Sequence, residues 1–127
     1  MVGIGYRKEF SAQFLEDNVL HPDFIEVAPE NWMGIGGFWK QQFNKVKEKY
    51  PLFCHGLSLS IGSPEPVDME FLKQIREFIE QNKVVLYSEH LSFSKMENAH
   101  LYDLLPIPFT KVAVKNVVEK IKITQDY

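Results

Sequence analysis

"VVLYSEHLSFS", residues 84–94, opens as an apolar strand and turns polar abruptly. Val84 to Tyr87 suit a strand interior; Ser88, Glu89 and His90 follow at once, and the alternation then fades. A short apolar run bounded in this way fits a strand covered on both faces, as in a parallel sheet. The acid and the imidazole then stand at the carboxyl end of that strand, where parallel α/β folds bind their ligands.

The same unit, strand and then helix, recurs outward from this stretch. "VGIGYR" (2–7) reads as a first strand, and "FSAQFLEDNVL" (10–20) as a helix with Ser11 as N-cap and Phe14 and Leu15 on one face. Pro22 breaks it. "FIEVAP" (24–29) is a second strand. "GGFWKQQFNKVKEKY" (36–50) is helical, with Trp39, Phe43, Val46 and Tyr50 in one stripe. "PLFCHGLSLS" (51–60) is a third strand. Asp68 caps a helix over 69–82, with Phe71, Leu72, Ile75, Phe78 and Ile79 as its apolar face, and Asn82 closes it. After a loop over 95–109, Thr110 caps a last helix striped by Val114, Val117, Val118 and Ile121.

Strand–helix alternation implies parallel pairing through right-handed crossovers. Four such units make an α/β fold and half of an eightfold barrel, whose whole takes about 250 residues. At 127 residues the chain is expected to form a single domain, either a small open sheet or a half barrel lacking its C-terminal half.

Composition excludes several classes. Hydrophobic content of 45% and charged content of 24% suit a globular domain. A net charge of −3 without a basic block speaks against nucleic acid as partner. The single cysteine, Cys54, forms no internal disulfide and fits a reducing compartment. No apolar run approaches the roughly 18 residues of a membrane span, and the N-terminus lacks a signal-peptide pattern. A cytoplasmic protein is expected.

The conspicuous polar residues fall at the strand ends. The first strand ends at Arg7, the second carries Glu26 and runs into Glu30 and Asn31, the third delivers His55, and the fourth Glu89 and His90. His55 and His90 lie about one βα repeat apart, so imidazoles on neighbouring strands can meet one ion through bonds of about 2.0–2.1 Å. Imidazole with carboxylate oxygen suits iron, zinc or manganese. The bland readings stand beside this one. His55 as a core histidine would bond a backbone carbonyl. Glu89 would orient an imidazole rather than bind metal. Glu26 would pair with Arg7, because a carboxylate inside an apolar strand is costly alone. His21 and His100 read as turn and loop residues, and Cys54 as a buried thiol. The glycines of "GIGG" (34–37) fit no phosphate loop and supply a turn and a helix start instead.

"FIEVAPENWMGIGG", "HGLSLSIGSPEPVD", "YSEHLSFS" and "HLYDLLPIPFT" occur in this order and at similar spacing in one family. Along nearly its whole length the chain resembles the N-terminal half of the multinuclear non-heme iron-dependent oxidative enzymes. The resemblance implies half of a TIM barrel of the xylose-isomerase kind. It implies two or three iron ions at the top of the whole barrel, with O₂ as co-substrate. It implies oxidation of cysteine residues in ribosomally made peptides, often with a separate protein that presents the peptide. His55 of "HGLSLS" and His90 of "SEHLSFS" match iron ligands of the family. Glu30 and Asn31 match a segment near the pocket. The remaining ligands of the family lie in strands five to eight, which this chain does not contain. The resemblance thus implies an incomplete site, and an open barrel implies self-association through its strand edges. Two other classes stay open: another metal-dependent barrel enzyme, such as a sugar isomerase or hydrolase with Glu89 or Glu30 as base, and a non-catalytic remnant or binding half.

Overall fold

The computed structural model describes residues 1–16, 20–96 and 99–127. Among the described residues, six strands and four α-helices run in the order β1 (Gly3–Gly5), α1 (Ser11–Leu15), β2 (Phe24–Val27), α2 (Gly37–Lys49), β3 (Leu52–Gly56), α3 (Met69–Asn82), β4 (Leu86–Glu89), β5 (Phe93–Met96), β6 (Ala99–Leu105) and α4 (Lys111–Asp126). β1 to β4 form one sheet in the order 1-2-3-4. β1 pairs with β2, and β2 with β3, in parallel, with Ile4 opposite Ile25 and Val27 opposite Cys54. Between β3 and β4 the Val85 N–H donates to the Leu52 carbonyl and the His90 N–H to that of Gly56. Donor and acceptor numbers climb together, as a parallel ladder requires. The fold is α/β, with four parallel strands alternating with helices, consistent with half of a TIM barrel.

The chain packs as two compact units. The first comprises residues 1–55 and 77–88, the second residues 56–76 and 89–127. In the first, Ile25, Val27, Leu52 and Cys54 alternate along their strands onto one buried face, as period-2 patterning demands. Phe43 and Val46 of α2 and Phe78 of α3 join them. Aromatic packing is dense there: Tyr6 stacks on Trp32 at 5.0 Å, and Trp32 on Phe43 at 4.5 Å. In the second unit, Leu72 and Ile75 of α3 are buried, and β5 and β6 form an antiparallel hairpin.

Caps follow their sequence signals at two helices. Asp68 Oδ1 accepts from the Phe71 N–H at 3.0 Å, and Thr110 Oγ1 accepts from Ala113 at 3.2 Å. Ser11 differs from expectation. A 3-10 turn over Lys8–Phe10 runs into α1, Phe10 takes the cap position, and the Ser11 hydroxyl bonds that of Tyr6 at 2.8 Å. Of the helix expected over 10–20, residues 17–19 lie outside the described residues. Gly34 and Gly37 adopt positive φ of 71° and 59°, the turn and helix start expected of "GIGG". The loop expected over 95–109 is in large part β-hairpin, and His100 lies in β6; residues 97–98 of that loop are outside the described residues.

Lys83, just past α3, also has a positive φ, 53°. There the Val84 N–H donates to the Ile79 carbonyl, as at a helix end closed by a left-handed residue. A side chain in this conformation costs roughly 1–2 kcal/mol, and glycine's extra chain entropy offsets about 0.5–1 kcal/mol of the relief. Lys83→Gly is therefore expected to stabilise the protein by about 0.5–1 kcal/mol. A urea midpoint that moves down instead would show that the Lys83 side chain contributes more than its backbone costs.

Candidate metal centre

His55 is the fourth residue of β3, one step out of phase with buried Cys54, so its half-buried ring lies on the opposite face of the strand. Its Nδ1 lies 2.7 Å from the Ser88 hydroxyl, supplied by the neighbouring strand β4. That hydroxyl in turn donates to the Cys54 carbonyl at 3.4 Å. With the serine proton directed there, Oγ accepts from His55, so Nδ1 carries the ring proton. In a neutral imidazole Nε2 then bears the lone pair.

His90 follows the last residue of β4. Its Nδ1 lies 2.8 Å from the Gly56 carbonyl, which can only accept, so here too Nδ1 is the protonated nitrogen. The His90 backbone N–H donates to the same carbonyl at 3.2 Å and to Glu89 Oε1 at 3.0 Å. Each imidazole thus has its Nδ1 held by a group on the neighbouring strand. This is how proteins orient histidines that bind metal, with the second nitrogen fixing tautomer and ring plane. Ser88 was not singled out from the sequence. Its signal was its position, two residues before His90 on the strand adjacent to His55.

The other expected site residues sit as follows. Arg7 and Glu26 are exposed, and among the described residues no ion pair joins them. Glu26 needs no buried partner, because it leaves β2 on the face opposite Ile25 and Val27. Glu30 and Asn31 lie in a 3-10 turn, Pro29–Asn31, that follows β2; Glu30 is half-buried and Asn31 exposed. Trp32, buried between Tyr6 and Phe43, anchors that turn. Glu89 Oε1 accepts from the backbone of His90. His21 is exposed. Among the described residues no group of three or more His, Cys, Asp or Glu is placed to hold a metal ion. The donor chemistry of each imidazole, taken by itself, fits a metal.

A rim loop after β3 is held tightly within the second unit. Ser60 has a positive φ of 56°, and its hydroxyl accepts from the Ser94 N–H at 2.9 Å. The Gly62 N–H donates to the Ser92 carbonyl at 2.8 Å, and a Cβ on Gly62 would meet that same carbonyl group. Asn116 and Lys120, one turn apart on α4, both donate to the Ser63 carbonyl. Burial lowers the Lys120 pKa, against the opposing pull of Glu65. A cavity of about 590 Å³ opens elsewhere, near the amino end of β3, lined by Tyr50, Leu52 and Lys83 among others. It lies at the wrong end of the strand for barrel chemistry.

Cys54 is buried, 1% exposed. Burial, and then the charges of Glu30 and Glu26, push its pKa from 9.0 up to about 12. A thiol so held is not a nucleophile. Alkylation of the folded chain near pH 8 is expected to run about a hundredfold or more slower than in urea, as measured by mass spectrometry. Equal rates would contradict the burial. The same shift fixes a pH dependence. The folded pKa is raised, so the stabilisation is complete below pH 9.0 and is lost as pH climbs towards about 12.

The family described as RiPP precursor modification enzyme MbnB/TglH/ChrH matches over residues 1–127. A UPF0276 protein of Acinetobacter baylyi is 54% identical over 98% of this chain and 43% of its own length. Another, of Shewanella oneidensis, is 49% identical over 99% of this chain and 45% of its own. A third, of Haemophilus influenzae, is 46% identical over 98% and 41%. The chain thus spans less than half the length of the curated relatives it matches. With strands, motifs and match running from the first residue to the last, this chain belongs to the RiPP precursor modification enzyme family MbnB/TglH/ChrH.

Proposed function

We propose that the chain is one half of a peptide-modifying iron enzyme, and that His55 and His90 are its contribution to the metal site. The observation that carries this is the hold on each ring: His55 Nδ1 lies 2.7 Å from the Ser88 hydroxyl and His90 Nδ1 lies 2.8 Å from the Gly56 carbonyl, the kind of bond that orients ligating imidazoles. Two imidazoles joined by a carboxylate, with positions left open, are the ligand set of ferrous O₂ chemistry. The carboxylate comes from polypeptide outside this chain. Iron bound there would supply the oxidation, by O₂, of a cysteine residue in a ribosomally made peptide.

The roles of this chain's own residues follow. Ser88 and Gly56 fix the rings. Glu89 holds the backbone at the end of β4. Glu30 and Asn31, on the turn anchored by Trp32, line the approach for a peptide, with Glu26 and Arg7 at neighbouring strand ends. A separate protein presents the peptide, and the reaction takes place in the cytoplasm. Residues 1–127 form a single domain with open edges at β1 and β4, which favour self-association. Among the described residues no helix is long and apolar enough to cross a membrane.

Two imidazoles alone hold ferrous ion weakly, so residues 1–127 by themselves are expected to show little or no catalysis. The alternative reading is a non-catalytic binding half. Incubation of the completed barrel with a cysteine-containing precursor peptide, iron and O₂ separates the two. A mass change on the peptide supports the enzyme; an unmodified peptide that still binds supports the second reading.

A further inference from the structure

Half of the apolar stripe of α4 is bare. Val117 is buried, while Val114 is 62% and Val118 44% exposed. Together with Leu91, Ile107 and Phe109 they line an apolar groove of about 380 Å³ within the second unit. Valines at i and i+4 place two branched side chains on one strip of helix. An exposed apolar patch of this kind marks a surface that another polypeptide covers.

What covers it follows from the relatives. More than half of each relative's length lies outside the match, although the match takes in nearly all of this chain. In a strand–helix alternation each helix packs over its own strand and the next one. For α4 the next strand is not in this chain. We infer that the Val114/Val118 groove is the docking face for the polypeptide corresponding to the unmatched portion of these relatives, whether joined to this chain or supplied separately. The contact is hydrophobic, so it does not depend on iron, and it stands or falls apart from the metal reading.

Residues 1–127 would be co-expressed with the unmatched portion of the Acinetobacter baylyi relative, tagged, and purified in EDTA. Equimolar co-purification is expected, reduced at least tenfold by V114D combined with V118D. Both valines are exposed, so the variant alone should keep the melting temperature of the parent chain. Undiminished capture of the double variant overturns the inference. So does light scattering showing that residues 1–127 form a dimer which the double variant abolishes while capture persists, because the groove would then be occupied by a second copy. A second measurement covers insolubility of the tagged portion. V118C is made in the isolated chain and in a single-chain fusion to that portion, and thiol labelling is compared; Cys54 is buried and contributes little background. Labelling should fall at least tenfold in the fusion, and equal labelling in both overturns the proposal.

Discussion

Iron binding by the completed barrel is expected to disappear when either His55 or His90 is replaced by alanine. Of the chain's four histidines only these two stand at the carboxyl ends of the parallel strands, and among the described residues no group of three or more His, Cys, Asp or Glu is placed to hold a metal ion. The effect should exceed that of altering the group behind the ring. Ser88→Ala removes only the acceptor of the His55 Nδ1–H and should cost about 10–100-fold in metal affinity, as losses behind a ligating ring do. The order of effects is informative. A ligand deletion larger than the Ser88 change supports direct coordination, whereas equal and small losses for all three would mean that the rings only shape the rim. The circular dichroism spectrum of each variant should match the parent, because His55 and His90 are only half-buried.

The second large effect concerns stability. Phe14 is completely buried, 0% exposed, although α1 has only five residues. A helix so short does not form by propensity and is held by tertiary packing. Its ring meets Tyr6 edge-on at 5.1 Å and Tyr50 at 6.0 Å. Phe14→Ala is expected to cost about 3–5 kcal/mol, from lost transfer energy and the cavity left behind. Domains have only about 5–15 kcal/mol in all, so the variant should be partly unfolded at 37 °C. Urea titration measures the loss. A change below about 1 kcal/mol would mean that the site collapses around the gap, and that α1 is not an anchor for the first unit.

Much of this was legible in the sequence, for identifiable reasons. α3 was read over Met69–Asn82 because five apolar residues keep the 3.6 period between an Asp cap and an Asn end. α2 likewise ran close to its expected bounds. The parallel order followed from alternation alone. Val84 to Tyr87 suit a strand interior, but β4 is Leu86–Glu89, and Val85 is exposed. The ladder of a strand is set by its neighbour, here through Leu52 and Gly56, and not by its apolar run. The β5–β6 hairpin was not legible. Lysine, glutamate and asparagine at 95–98 interrupt the period-2 pattern, and the stretch holds no Asn-Gly or Asp-Gly pair. Ser11 misled because a cap signal identifies a residue type, not whether the chain before it is already helical. The stripe of α4 was read correctly as a pattern. Periodicity shows that a face is apolar; it does not show that the covering element is in the same chain.

For the candidate metal site, position at strand ends is what nominates His55 and His90. The groups that set their tautomers were not legible, since a serine and a backbone carbonyl carry no compositional signal. Only the register of β3 against β4 shows Ser88 beside His55 and Gly56 beside His90.

Metal analysis of the completed barrel, purified without oxygen, tests the central claim most directly. The chain would be joined to, or co-expressed with, the portion of a relative that lies outside the match, and its iron, zinc and manganese measured by mass spectrometry. More than one iron per complex is expected, falling to background in the His55→Ala and His90→Ala variants. Zinc or manganese in place of iron, no bound metal, or iron that both variants retain would contradict the account.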